Sequence, residues 1–431
     1  MERGEKMTLI DRIKKGDIPD FLEEVAKSEN VSVDFLISGI LNGTIVIPNN
    51  KNHSSLRKYM AIGESLKIKV NANIGTSLGY DDFEYELKKF HTARKFGADS
   101  VMLLSTWGDI EKQREKIINM SDIPIGTVPI YDVAVVAYME HKNVVDFSEK
   151  DFLKILENHA KQGVDFVTLH VSITKDIVKK LKNSKRIMRI VSRGGSIISG
   201  WIIKNDLENP FYKYFDEVLD IAREYDVTLS LGDSLRPGNL FDSMDKLQLE
   251  EWFIFEELVE KARKKNVQVI LEGPGHVPIN QIESTVQLMK KYGKNSPVFL
   301  LGPIVLDIAP GYDHITSAIG AAIAAKSGAD FICYVTPSEH LSLPSVEDVK
   351  LGVISSKIAG MAVDFSRGKH IEENYKLALF RKNLDWDGIK DVVLDREIVE
   401  EYLDSKPFKG EGCSMCGPFC SLKIVEEYLE K

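Results

Sequence analysis

The chain has only four cysteines in 431 residues, and three of them, Cys413, Cys416 and Cys420, crowd into eight positions near its end. So uneven a supply does not build the disulfide framework of a small secreted domain. Positive charge is also short: Lys and Arg number 56 against 65 Asp and Glu, a formal net charge of −9. That balance argues against nucleic acid or an anionic membrane as the main partner. Long apolar runs are missing as well. No stretch reaches the roughly eighteen consecutive apolar residues of a membrane span, and the opening "MERGEKMTLIDRIKKGDIPDF" has no apolar segment of signal-peptide length. The expectation is a soluble, cytoplasmic protein. What the chain does have is core-forming material. Hydrophobic residues make up 43% and charged residues 28%, a composition that excludes disorder and suits a barrel-sized domain with appendages.

From residue 66 to about 360, short β-rich runs alternate with stretches of helical periodicity. The strand candidates are "KIKVNANIG", "SVMLLS", "IGTVPIY", "FVTLHVS", "IMRIVSR", "VTLSLGD", "VQVILEG", "VFLLGP" and "FICYVT". They are near-continuous apolar runs, as in a parallel sheet covered on both faces. Stretches such as "LEEWFIFEELVEKARKKN" repeat their apolar residues at helical spacing between them. The alternation implies an α/β fold. Almost every run ends in a polar residue, among them Asn73, Ser105, Tyr131, His170, Asp233, Glu272 and Thr336. A (β/α)8 barrel gathers all its strand ends at one mouth, whereas an open sheet concentrates such residues at one or two switch points. The pattern therefore predicts a barrel over 66–362, with one of the nine runs either lying outside it or not a strand. A small N-terminal extension (1–65) precedes the barrel. A helical tail (363–431) follows, and its linker "LDSKPFKGEG" leads to the cysteines.

Three cysteines with no nearby fourth ligand suit a 4Fe-4S cluster that leaves one iron open. An open iron can chelate S-adenosylmethionine, whose reductive cleavage releases a 5′-deoxyadenosyl radical. A zinc site completed by a distant fourth ligand is the alternative. "RIVSRGGSI" places Ser192, Arg193 and Gly194 where a backbone can approach a phosphate and an arginine can grip it. "LEGPGHVP" and "CYVTPSEHL" each pair a carboxylate with a histidine: Glu272 with His276, and Glu339 with His340. Two such histidines can share a divalent metal. Asp307, Tyr312, Asp313 and His314 of "DIAPGYDHITSAIGAA" are candidates to orient those ligands. Asp233 and Arg236 of "LSLGDSLRPG" form a candidate pair for a polar substrate.

These motifs, in this order from about residue 66 to 423, resemble the phosphomethylpyrimidine synthase superfamily of thiamin biosynthesis. The resemblance implies a noncanonical radical S-adenosylmethionine lyase on a (β/α)8 barrel, with 5-aminoimidazole ribonucleotide as substrate. It implies a ribonucleotide site of Asn73, Met102, Tyr131, His170, Ser192, Arg193, Gly194, Asp233, Ser234, Leu235, Arg236, Glu272 and Phe299. Glu272 and Asp233 are its candidate catalytic carboxylates. His276 and His340 would hold a divalent metal, zinc or iron, and Cys413, Cys416 and Cys420 the 4Fe-4S cluster. The implied partners are an electron donor such as flavodoxin or ferredoxin and a second subunit, in a homodimer or a heterodimer with a paralog.

The chain also departs from the thiamin pattern. Leu103 stands where those enzymes carry an acid, Phe299 where they carry a tyrosine, and Ser234 where they carry a glycine. Val171-Ser172 follow His170 in place of a small residue and glycine, and the last two cysteines are one residue closer. Loss of a carboxylate and a phenol from one pocket changes what it can hydrogen-bond or deprotonate. These departures lead to the expectation of the family's other branch, a 5-hydroxybenzimidazole synthase serving the cobamide lower ligand. Phosphomethylpyrimidine synthase is the alternative, and a catalytically silent paralog subunit the third reading.

Overall fold

The computed structural model describes residues 7–409 and 412–429. The first six residues, Gly410 and Glu411 of the tail linker, and the last two residues lie outside the described part. Two compact units divide the chain, one ending at Val363 and the other beginning at Asp364.

Eight parallel strands close into a barrel in the first unit: β1 (Lys69–Ile74), β2 (Ser100–Leu103), β3 (Ile125–Thr127), β4 (Phe166–Leu169), β5 (Thr228–Leu231), β6 (Val269–Gly273), β7 (Val298–Leu301) and β8 (Phe331–Cys333). They follow one another round the ring, and β8 closes on β1 with Phe331 opposite Lys69. This is the α/β barrel read from the sequence. The surplus run is "IMRIVSR". Residues 187–193 form no strand, and Ile187 is 69% exposed. Instead the segment is strapped across the barrel's upper rim. Arg186 forms a two-pronged ion pair with Asp245, and Asp242 accepts the N–H groups of Ile187 and Met188.

The strands form where the sequence supplies side chains that can be buried on both faces; every residue of β4 and β5 is buried. Phe166, Phe299 and Phe331 fill the interior, with the last two stacked at 4.1 Å between ring centroids. Gly126 makes room for them, since a Cβ there would stand 2.3 Å from the Phe166 ring.

The lower rim shows a repeated device. Asp99 before β2, Asp165 before β4 and Asp330 before β8 each accept the N–H of a residue in the preceding strand: Val70, Ile125 and Val298, at 2.7, 2.7 and 2.8 Å. Each aspartate follows a glycine by two positions, and Gly97, Gly163 and Gly328 all adopt positive φ, which ends the preceding helix at low steric cost. Before β6 the equivalent residues are Asn266, also at positive φ, and Gln268. Gln268 turns its amide outward and exchanges two hydrogen bonds with the backbone of Ile47.

That contact belongs to the N-terminal extension. Helices Leu9–Lys14, Phe21–Glu29 and Val33–Asn42 and a short antiparallel ribbon enclose their own apolar cluster. The extension caps the barrel's lower end. Lys69 pairs with Glu29, His53 with Asp165, and the Leu9 N–H donates to the buried Asp226 at 2.7 Å. The second unit consists of helices Ile371–Lys382, Trp386–Val392, Arg396–Ser405 and Ser421–Leu429, with the cysteine segment before the last. No helix among the described residues is long and apolar enough to cross a membrane.

Candidate active site

A cavity of about 290 Å³ opens at the carboxyl ends of the strands, where barrels build their sites. Of the residues expected there, Asn73, Met102, Tyr131, His170, Arg193, Arg236, Glu272 and Phe299 line it. Ser192, Gly194, Asp233, Ser234 and Leu235 lie in the wall behind and are absent from its lining. Ser192 caps helix Arg193–Asn205, accepting the Gly195 N–H at 3.2 Å. Gly194 lies flat against the His170 imidazole, where a Cβ would approach to 2.3 Å.

Strand parity corrects one expectation. Met102 and Leu104 face the cavity, so Leu103 between them points the other way. It lines a small crevice beside helices Phe83–Lys95 and Ile110–Met120, with Phe83 and Ile117. The residue taken as a lost pocket acid lies outside the pocket. Phe299 does face the cavity.

Several lining residues had no sequence motif behind them. Thr168 Oγ1 donates to Glu272 Oε1 at 2.7 Å, and Ser230 adds a longer contact at 3.4 Å. Cys333 opens the motif "CYVTPSEHL", but no role was read for it there. Asn73 donates to its Sγ at 3.0 Å, and the Tyr334 hydroxyl holds the Asn73 carbonyl at 2.6 Å. Burial raises the Cys333 thiol to about 12, so it is protonated at neutral pH.

Arg236 is the charge that several of these groups feel. Burial, then Arg236, drives His170 down to about 3, leaving a neutral imidazole. Burial raises Glu272 and Glu339, while the same guanidinium favours their ionised forms. Burial also raises the Tyr131 phenol, and the Arg193 guanidinium sits 5.0 Å from the Tyr131 ring centroid.

His276 and His340 approach with ring centroids 5.1 Å apart. His276 Nδ1 pairs with Asp307 at 2.8 Å and His340 Nδ1 with Asp313 at 3.0 Å. A carboxylate on one ring nitrogen orients the other, as in histidines that bind metals. Asp307 is itself fixed by the Leu240 N–H. Tyr312 is mostly exposed, and His314 Nδ1 has no hydrogen-bond partner among the described residues. Among the described residues, no three His, Cys, Asp or Glu side chains gather as a metal site. The pair offers two imidazole nitrogens, held by Asp307 and Asp313, as candidate donors.

In the second unit, Cys413, Cys416 and Cys420 are free thiols at least partly open to solvent. Their segment folds as turns, with Gly417 and Phe419 donating to the carbonyls of Cys413 and Cys416. Three thiolate donors on one short turn are the right chemistry for a cluster with an open iron.

A family model described as the radical SAM ThiC family matches residues 8–427. The phosphomethylpyrimidine synthase of Thermotoga neapolitana is 54% identical over 424 residues, covering 98% of this chain and 100% of that protein. The proteins of the same name from Methanocaldococcus jannaschii and Archaeoglobus fulgidus are 49% and 47% identical. They cover 98% and 99% of this chain and 99% and 100% of their own lengths. Among solved structures, a dihydropteroate synthase of Xanthomonas albilineans is similar with a TM-score of 0.42 and 11% identity, over 75% of this chain and 99% of that one. The expectation of a 5-hydroxybenzimidazole synthase is overturned. Relatives aligned from end to end carry the pyrimidine synthase name, and the Leu103 exchange lies outside the pocket.

Proposed function

The chain belongs to the radical SAM ThiC family, and on that premise we propose that it is a phosphomethylpyrimidine synthase, converting 5-aminoimidazole ribonucleotide to hydroxymethylpyrimidine phosphate. The observation that carries this reading is the 47–54% identity, over nearly the whole chain, to proteins of that name. The cavity supports it: its size lies near the lower end of the roughly 300–1,000 Å³ of ligand pockets, and its lining combines charged and polar side chains with the aromatic rings of Tyr131 and Phe299.

In this reading Arg193, beside the start of its helix, grips the phosphate. Asn73, Tyr131 and the neutral His170 orient the imidazole and ribose by hydrogen bonds. Glu272, its carboxylate oriented by Thr168, Ser230 and the Asp233 N–H, is the group that exchanges a proton with substrate. The family uses a 4Fe-4S cluster and S-adenosylmethionine; Cys413, Cys416 and Cys420 would hold the cluster, and the pair when bound supplies a one-electron reductive cleavage that starts radical chemistry. His276 and His340 would hold a divalent metal. The partners of this reading are a flavodoxin- or ferredoxin-type donor and a second copy of the chain.

Anaerobic turnover of aminoimidazole ribonucleotide by reconstituted protein, followed by mass spectrometry, is the test. The expected product is hydroxymethylpyrimidine phosphate. Formation of a benzimidazole, or no consumption of the ribonucleotide, overturns the reading.

A further inference from the structure

Behind the wall at the end of β5 lies a buried carboxylate that the cavity does not touch. Glu251 sits on helix Lys246–Lys264 and is fully buried. It accepts the N–H of Ser234 at 2.7 Å, the N–H of Leu235 at 3.1 Å, and the Ser172 hydroxyl. The Ser172 and Ser234 hydroxyls lie 3.1 Å apart. On its far side the Ser234 carbonyl packs on Gly195, where a Cβ would stand 2.3 Å away. One carboxylate thus joins three stretches that reach the cavity. These are the end of β4 with His170, the loop with Arg236, and the helix start with Arg193.

Asp233 completes the arrangement. Its carboxylate is buried, and neither oxygen meets a donor among the described residues. It does lie within hydrogen-bonding reach of the Glu251 carboxylate. Two buried carboxylates so close do not both ionise. The donor count decides where the proton sits. Glu251 already takes two N–H groups and one O–H, which favours its anion, while Asp233 takes none.

We infer that Asp233 is a carboxylic acid donating its proton to Glu251, and that Glu251 is the positioning residue that holds the loop presenting Arg236 to the substrate. The inference rests on the ribonucleotide reading only for the identity of that substrate. Arg236 and Glu272 are the other charged groups facing Asp233, one favouring and one opposing its ionisation. Burial is the largest influence on it and raises it well above the carboxylate range, in keeping with the acid form. An acid committed in this way is not available as a base, so the proton-transfer role among the candidate carboxylates falls to Glu272.

The test combines infrared spectroscopy of protein carrying carbon-13-labelled aspartate with equilibrium binding of aminoimidazole ribonucleotide, both on cluster-reconstituted full-length protein. Wild type at pH 8 should show the carbonyl stretch of a protonated aspartic acid. Asp233→Asn should remove that band. Glu251→Gln should also remove it, because the new amide donates to Asp233 and lets it ionise. Glu251→Gln and Asp233→Ala should each weaken ribonucleotide binding about tenfold, by leaving a buried polar group unmatched. Asp233→Asn should recover most of that loss, since its amide can donate to Glu251. A band unaffected by Asp233→Asn, or binding as weak in Asp233→Asn as in Asp233→Ala, overturns the inference. If wild type binds no aminoimidazole ribonucleotide, the functional reading fails, while the infrared band still decides the place of the proton.

Discussion

Asp226 offers a quantitative test of how the extension is fastened to the barrel. It is buried, takes a left-handed backbone conformation, and accepts the Leu9 N–H. Burial pushes its carboxyl up to about 7, against the attraction of Lys51 and Arg12. In the unfolded chain the same group titrates near 3.9. The folded state therefore holds the proton more tightly, and this acid costs stability as pH rises. Below about pH 4 it is protonated in both states and costs nothing; between about 4 and 7 the cost grows; above about 7 it is complete. At 1.36 kcal/mol per pH unit the ceiling is about 4 kcal/mol. Asp226→Asn keeps an acceptor for Leu9 and suits a positive φ, but gives up the attraction to Lys51 and Arg12. The expected gain at pH 8 is roughly 2–4 kcal/mol, or about 3–5 °C in melting temperature for a unit of this size. The assay is thermal unfolding of wild type and variant at pH 8, 6 and 4.5. The difference should shrink steadily toward pH 4.5. A gain of the same size at every pH, or a loss at pH 8, refutes the reasoning.

Other outcomes follow from the site. Anaerobically reconstituted protein should bind about four irons per chain, and Cys416→Ser should lose both the iron and the cleavage of S-adenosylmethionine, measured by iron assay and deoxyadenosine release. Arg193→Ala should weaken ribonucleotide binding roughly tenfold or more while leaving the dephosphorylated riboside unaffected, because only the phosphate loses a charged partner; titration calorimetry with both ligands checks it. Leu103→Asp should lower stability by about 1–3 kcal/mol, as a carboxylate set beside Glu86 and against Phe83 and Ile117 does, and leave product identity unchanged by mass spectrometry.

The barrel was legible because its strands are apolar on both faces and almost every one ends in a polar residue. The same continuity made "IMRIVSR" look like a strand. Its β-branched residues are instead spread over a rim segment that Asp242 and Arg186 pin down from far along the chain. Parity was the other hidden quantity. In "SVMLLS" both neighbours of Leu103 are apolar, so the sequence does not tell which side faces inward, and an outward leucine was taken for a pocket residue. The motif residues with distinctive neighbours, such as Arg193 and Glu272, line the cavity, although Arg193 opens a helix rather than ending a strand. Glu251 belongs to no motif. Its signal is a charged residue four after Leu247 and four before Phe255, on the face that its helix buries.

The lower-rim aspartates divide the barrel into quarters. Each quarter is two neighbouring strands closed by a residue at the same place, Asp99, Asp165, Gln268 or Asp330. In three quarters that residue ties the pair to itself; in the third it reaches out to the N-terminal extension instead. A chain divided between quarters, after β2, β4 or β6, would leave every such tie inside one fragment, whereas a division after β1, β3 or β7 would place the two ends of a tie on separate pieces. Fragments of the first kind are the ones suited to reassemble when co-expressed. The extension, fastened to Lys69 and Asp165 of two other quarters, also clasps the one quarter that lacks its own tie.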